Sequence, residues 1–258
     1  MLRGLYTAAS GMLSAQMATD TLASNLANVN TIGFKGNKLN YQSFPEMLMN
    51  RLSSQGVAPV GSIMTGSQIY GTFTNFSQGQ TVATGNTFDM AIEGGGFFTV
   101  KNRYGQLYYT RAGNFTIDEN GFLTTLNGDR VQGELGDIQL NLDEGPFNIN
   151  QRGELIARTR MVDRFKIARF VDDHALEKVG DNLYAAGRNA QLLPAPAADA
   201  SLGYKIHQGM LEQSNVNPVA EMVNNIQGLR LYEALQKNIH LANETLQKAV
   251  NDVGRYRG

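Results

Sequence analysis

Cysteine and tryptophan are both absent from the 258 residues. Without cysteine the chain has no disulfide framework and no thiolate-ligated metal. Charge is scarce too: 17% of residues are Asp, Glu, Lys or Arg, and the formal net charge is −1. Nucleic-acid and anionic-surface binders concentrate a basic field, so neither kind of partner is expected. Long apolar runs are missing as well. Near the amino end Thr7, Ser10, Ser14, Gln16, Thr19 and Asp20 interrupt every stretch that might serve as a signal-peptide core or a membrane span. The expectation is a chain that, if exported, uses neither a cleaved signal nor lipid insertion. Glycine, by contrast, is abundant at 28 residues, which favours a turn-rich β portion over an all-helical chain.

From Leu2 to about Asn30 the apolar pattern is helical. Leu2, Leu5, Ala9, Met12, Gln16, Thr19, Ala23 and Leu26 recur at alternating steps of three and four, an a/d register, and Gly33 supplies a stop. The opposite face is nearly uncharged: between Met1 and Phe34 only Arg3 and Asp20 carry charge. Helices solvated on one side normally carry charges there, so this one is expected to pack against several neighbours. At the other end Asn217-Pro218 reads as an N-cap and first helical position. Val219, Val223 and Ile226 begin a stripe, a phase break falls near Leu229, and Tyr232, Leu235, Ile239, Ala242, Leu246, Ala249 and Val253 continue it. The break predicts a local change of winding inside a single helix.

Between these ends the period shortens. Three related units stand out, Phe98-Thr99-Val100 leading to Gly105 and Leu107, Phe115-Thr116-Ile117 to Gly121 and Leu123, and Phe147-Asn148-Ile149 to Gly153 and Leu155. Each reads as a hairpin whose glycine takes positive φ. The fold class is therefore α+β: long N- and C-terminal helices pairing as a coiled-coil-like domain, with a mainly antiparallel β domain between them. The expected division is 1–34 with 205–258 as the helical domain, 35–66 as a connecting arm and 67–204 as the β domain. Residues 194–200, rich in Pro and Ala, read as an exposed loop. Lone helices of this kind are marginal, and Gly4 and Gly11 cost about 1 kcal/mol each against Ala. Their stability is expected to come from other copies.

No active site emerges. His174, His207 and His240 are far apart in sequence, with no ligand-like spacing. Gly94-Gly95-Gly96 precedes a strand, Phe97-Phe98-Thr99-Val100, where a phosphate loop would open a helix. Asp118-Glu119-Asn120-Gly121 lacks the alternating ligands of a calcium loop and reads as a hairpin turn. Asp172-Asp173 reads as a solvated pair. The chain is expected to be non-enzymatic, with no cofactor and no metal.

Four stretches carry a resemblance. Leu5-Tyr6-Thr7-Ala8-Ala9-Ser10-Gly11-Met12 with Ala23-Ser24-Asn25-Leu26-Ala27-Asn28-Val29-Asn30-Thr31-Ile32-Gly33-Phe34-Lys35 resembles the N-terminal signature of flagellar rod and hook proteins. Glu212-Gln213-Ser214-Asn215-Val216-Asn217-Pro218-Val219-Ala220-Glu221-Met222-Val223 resembles their C-terminal signature. Ala91 to Phe98 and Tyr109 to Phe115 resemble their β-domain motifs, and only Ser24, where the family usually has Asn, departs. The resemblance implies a rod subunit of the flagellar basal body, since no large insertion of the hook type follows the hairpins. The continuous arm at 45–66 points to the distal rather than the proximal rod. It implies as partners copies of the chain itself, other rod and hook subunits, and the flagellar type III export apparatus. The expected assembly interface comprises Leu5, Ala9, Met12, Leu26, Val223, Ile226, Tyr232, Leu235, Ile239 and Leu246. Phe44-Pro45-Glu46-Met47-Leu48 matches the Phe-x-x-x-apolar pattern linked in that family with the export gate, which makes Phe44 and Leu48 the export candidates. A secreted β adhesin is the competing class; it has no need of uncharged heptad helices at both ends.

Overall fold

The computed structural model describes residues 2–43, 47–53, 56–63, 67–141, 147–157, 160–193 and 203–255, with side chains at 4–42, 68–141, 147–157, 160–193 and 203–251. The chain forms two compact units. Unit 1 is Met1–Ala27, Asn37–Phe73 and Asn217–Gly258; unit 2 is Asn28–Gly36 and Thr74–Val216. The chain therefore passes from one unit to the other four times.

Unit 1 is built on two helices, α1 (Leu2–Ala27) and α2 (Pro218–Arg255), of 26 and 38 residues. Asn217 caps α2 as expected, its Oδ1 accepting from the N–H groups of Val219 at 3.1 Å and Ala220 at 3.2 Å. The helices pack antiparallel. Asn25 Nδ2 lies 3.4 Å from Glu221 Oε1, Thr19 faces Gly228, and Gly11 faces Leu235. A Cβ on Gly11 would come within 3.0 Å of Leu235 Cδ1, and one on Gly228 within 3.1 Å of Thr19 Oγ1. Glycine here admits the facing side chain. Two strand pairs complete the unit: β1 (Asn37–Ser43) with β4 (Ser67–Thr74), and β2 (Met47–Ser53) with β3 (Gly56–Ile63). Much of the stretch expected as a connecting arm is thus extended and paired.

In unit 2, the strands β5 (Thr81–Ala83), β6 (Met90–Gly94), β7 (Phe97–Lys101), β8 (Leu107–Thr110), β9 (Thr116–Ile117), β10 (Leu123–Thr124) and β11 (Arg130–Val131) come first. They are followed by β12 (Phe147–Ile149), β13 (Glu154–Ala157), β14 (Arg160–Arg164), β15 (Ile167–Ala168), β16 (Leu176–Gly180), β17 (Leu183–Ala186), β18 (Tyr204–Gln208) and β19 (Met210–Glu212). The main sheet runs β16-β17-β8-β7-β11-β10-β9, with β15 also on β7, and the pairings are antiparallel. All three sequence repeats are hairpins. Gly105, Gly121 and Gly153 take φ of 82°, 81° and 80°, and each N–H closes on the carbonyl three residues earlier, at Asn102, Asp118 and Asn150. Phe98, Phe115, Leu123, Phe147 and Leu155 enter one apolar core; Leu107 stays exposed. Residue alternation along β7 sends Phe97 to a second core with Tyr109, Phe170 and Tyr184, where Phe97 and Tyr184 lie 5.8 Å apart.

Asp137 ties the sheet together. Its carboxylate accepts from Lys101 Nζ, from Gln132 Nε2 at 2.8 Å and from Arg130 Nη1 at 3.0 Å. Burial alone would raise its pKa, but these three bonds outweigh that and hold it down at about 2. The folded value lies below the unfolded one, so the stabilisation is present above about pH 4 and is lost as pH falls towards 2. Urea unfolding across that window should show Asp137→Asn less acid-sensitive than the parent by about 2 kcal/mol.

Candidate functional site

Two places in the chain concentrate functional residues. The first is the helix pair of unit 1. On α2 the half-buried positions are Glu221, Asn225, Gly228, Tyr232, Leu235, Ile239, Ala242 and Leu246. They keep alternating steps of four and three with no break at Leu229, so the expected change of winding is not needed. The apolar side chains of Val219, Val223 and Ile226 instead lie on another face, and are 69%, 48% and 52% exposed. On α1 Leu5, Ala8, Met12, Ala15, Thr19, Leu22 and Leu26 are covered, and so is an adjoining face with Ser10, Gly11, Ser14, Ala18, Thr21 and Asn25. Leu5, Met12 and Leu26 fall where the sequence placed them. Ala9, Gln16 and Ala23 are exposed, and Ala8, Ala15 and Leu22 take their places. Small residues stand at both 8 and 9, so periodicity alone could not choose between them. Of the ten expected interface residues, the structure therefore places seven on the seam and leaves Ala9, Val223 and Ile226 on the outer surface.

Asn25, 2% exposed, is the polar key of this unit. Its Oδ1 accepts from the Asn37 N–H and its Nδ2 donates to the Asn37 carbonyl, both at 2.9 Å. This side-chain amide satisfies a backbone as a neighbouring strand would, and it fixes the start of β1 against α1. A groove of about 910 Å³ runs alongside, lined among others by Gly11, Ser14, Tyr41, Asn224 and Leu231.

The second place is a buried ion cluster in unit 2 that sequence reasoning missed. Glu212, at the end of β19, is fully buried between two cations. Its Oε1 accepts from Lys35 Nζ at 2.5 Å and from the Gly79 N–H at 2.8 Å, and its Oε2 lies 3.3 Å from Arg111 Nη1. Lys35 also donates to the Ser77 carbonyl at 2.8 Å, and Arg111 to the carbonyls of Gly94 at 2.8 Å and Ile92 at 3.3 Å. Burial pushes the pKa of both cations down, against the pull of Glu212. Asp173, expected to be solvated, is half-buried, and burial raises its pKa. Nearby, Asn215 accepts from the Gly36 N–H at 2.9 Å and donates to the carbonyls of Asn75 at 2.7 Å and Ser77 at 3.0 Å. The sequence did hold a signal. Lys35 is the only charged residue between Ala23 and Lys35, and Arg111 the only one between Tyr109 and Phe115. Solitary charges inside uncharged motifs are candidates for burial with a partner.

The histidines are scattered. His207 Nε2 meets Glu93 at 2.6 Å, while His174 and His240 are exposed. Gly94 to Gly96 link β6 to β7, and Asp118 to Gly121 form a hairpin turn. Phe44 lies outside the described residues, as do residues 194–200; Leu48 lies on β2 opposite Ser62.

Helices from both ends of the chain pair with each other, and a β unit lies between them in sequence; this is the organisation expected of an axial structural subunit. Comparison with known proteins agrees. Residues 5–35 match the family described as "Flagella basal body rod protein", 91–157 the "Flagellar hook protein FlgE/F/G D1 domain", and 207–252 the "Flagellar basal body rod FlgEFG protein C-terminal". The chain is 35% identical to the flagellar basal-body rod protein FlgF of Caulobacter vibrioides over 257 residues, covering 99% of each. It is 33% identical to FlgG of Bacillus subtilis, covering 97% of this chain and 99% of that one, and 33% identical to FlgG of Borreliella burgdorferi, covering 97% and 98%. The chain belongs to the flagellar basal-body rod protein family, whose members are structural parts of the basal body and not enzymes.

The cluster predicts an order of effects. Glu212→Gln leaves two buried cations facing each other and should cost about 3–5 kcal/mol. Lys35→Met leaves Glu212 still paired with Arg111 and should cost clearly less. Urea unfolding of the two variants beside the parent chain checks the ranking.

Proposed function

We propose that this rod subunit polymerises into a helical tube with copies of itself and with neighbouring rod and hook subunits, and that its terminal helices, wound as a coiled-coil-like domain, make the joints. On this reading 1–34 and 205–258 act as the assembly domain, 35–66 as an arm and 67–204 as the outer β domain. One observation carries it. After α1 and α2 have packed on each other, Tyr6 and Leu13 on α1 remain 72% and 61% exposed, and Val219 and Ile226 on α2 are exposed as well. Apolar stripes on uncharged helix faces call for a partner. The pairing of β2 with β3, inside the arm at 45–66, supports the distal position in the rod. A FlgF-like place is the second reading, favoured by the FlgF alignment covering 99% of both chains. Locating the labelled chain in cryo-EM maps of isolated basal bodies separates the two.

Ile239 stands mid-seam. Ile239→Asp sets a charge into the contact between α1 and α2 on which the joint is built, at a cost of several kcal/mol per subunit. Rods should fail to form and motility should be lost while unit 2 keeps its fold by circular dichroism. Normal motility would overturn the assignment of these helices to the joint.

The reading also has the subunit reach the basal body through the flagellar type III apparatus. A signal read on an unfolded chain is short and continuous, and Phe44 to Leu48 meets that need. Phe44→Ala should lower the secreted amount relative to the cytosolic amount. Unchanged secretion with weakened rods would make Phe44 a structural residue instead.

A further inference from the structure

We propose that Asn127-Gly128 is a site of spontaneous covalent modification, where the asparagine amide is lost and isoaspartate forms, and that the fold shields the matching pair Asn120-Gly121. The inference does not rest on the polymerisation reading.

Glycine directly follows asparagine at these two places in the sequence and nowhere else. The reaction runs through the backbone nitrogen of the following residue, and glycine has no Cβ to hinder its approach. The deprotonated nitrogen of Gly128 attacks Cγ of Asn127. A bond forms between them, the bond from Cγ to the amide nitrogen breaks, and ammonia leaves with the proton. Water then opens the cyclic imide at either carbonyl. One opening gives aspartate. The other gives isoaspartate, whose main chain runs through the former side chain and is longer by one carbon. Water is the sole co-reactant.

The two turns are built alike. The Asp118 N–H donates to the Phe122 carbonyl at 2.9 Å, and the Thr125 N–H to the Asp129 carbonyl at 2.8 Å. Gly121 and Gly128 close on the carbonyls of Asp118 and Thr125 at 2.8 Å and 2.9 Å, with φ of 81° and 85°. Local geometry therefore favours neither pair. The difference is tertiary. Gln139 Nε2 donates to the Asn120 carbonyl at 3.0 Å, and the Leu140 N–H to the Gly121 carbonyl at 2.7 Å. A Cβ on Gly121 would stand 2.7 Å from the Leu140 carbonyl oxygen. The first turn is thus pinned along residues 139–140. Around the second turn, a Cβ on Gly128 would meet nothing within 4 Å, and Asn127 and Gly128 are both exposed. Among the described residues no hydrogen bond from outside that turn reaches either of them.

Attack requires the glycine N–H to leave its turn bond while the asparagine side chain swings over it. At 127–128 this opening breaks only bonds of the turn itself, as exposed tips readily do. At 120–121 it must also break the two bonds to 139–140. The product matters locally. An extra carbon would misalign the bonds between Thr125 and Asp129 and loosen the pairing of Thr124 with Arg130, one of the donors to Asp137. It would also bring a new carboxylate close to Asp129, whose pKa burial already raises.

The full chain, folded or unfolded in urea, is held in mildly alkaline buffer and sampled by peptide mapping. Mass spectrometry reads amide loss, and an isoaspartate-specific methyltransferase reads the rearranged product. In the folded chain Asn127 should convert about tenfold faster than Asn120, the ratio expected from two extra hydrogen bonds to break. In urea the two rates should converge. Equal rates in the folded chain, no conversion at Asn127 where the unfolded chain converts, or the same ratio persisting in urea would each overturn the proposal. Gln139→Ala removes one clamp from an exposed position. It should speed conversion at Asn120 severalfold and leave Asn127 as it was; an unchanged rate at Asn120 would overturn the shielding.

Discussion

Glu212 sits fully buried between Lys35 and Arg111, and the architecture of unit 2 hangs on that arrangement. A lone buried carboxylate is very costly, and so are two buried cations. Together, with the carbonyls of Ser77, Ile92 and Gly94 and the Gly79 N–H taking up the remaining bonds, they satisfy one another. The three charges come from three distant parts of the chain. Asn215 adds a set of neutral bonds to Gly36, Asn75 and Ser77. The segments that border the crossings between units, near residues 36, 74 and 216, are all held by this one polar group of contacts.

The helix pair follows a different logic. Small residues punctuate its seam: Gly11 and Gly228 admit Leu235 and Thr19 across it, Ala8 and Ala15 are buried, and Asn25 supplies a specific polar anchor. A seam of that kind buries a modest apolar area, about 25 cal/mol for each Å². Other large apolar residues, Tyr6, Leu13, Val219 and Ile226, are turned outward. A soluble monomer would place them the other way round. The distribution suits a family whose members are parts of a larger structure.

The sequence made some of this legible and hid the rest for physical reasons. Helix limits, the Asn217 cap and the three glycine hairpins follow from local chemistry, and each was readable within a dozen residues. The seam of α2 from Tyr232 onward was readable because its apolar residues keep steps of three and four while Glu233, Lys237, Glu244 and Lys248 mark the exposed side. On α1 both faces are apolar or small, and between Val219 and Ile226 the covered positions are the polar Glu221 and Asn225, so apolar periodicity could not pick out the inner face. The ion cluster was hidden because its members lie far apart in sequence and a lone Lys or Glu resembles any surface charge. The pairing of β1 with β4 escaped for the same reason, since β2 and β3 lie between them in sequence.

The span between Lys35 and Glu212, 177 positions, also sets the order in which the molecule can be completed. Local hairpins such as those at Gly105 and Gly121 can close within microseconds. The ion cluster has to wait for one of the most distant contacts in unit 2, and long-range closure is what slows folding most. Until Glu212 is available, Lys35 and Arg111 lack the carboxylate that pairs them in the finished unit. Completion of unit 2 therefore needs both Lys35 and Glu212, residues that stand close in sequence to the end of α1 and the start of α2.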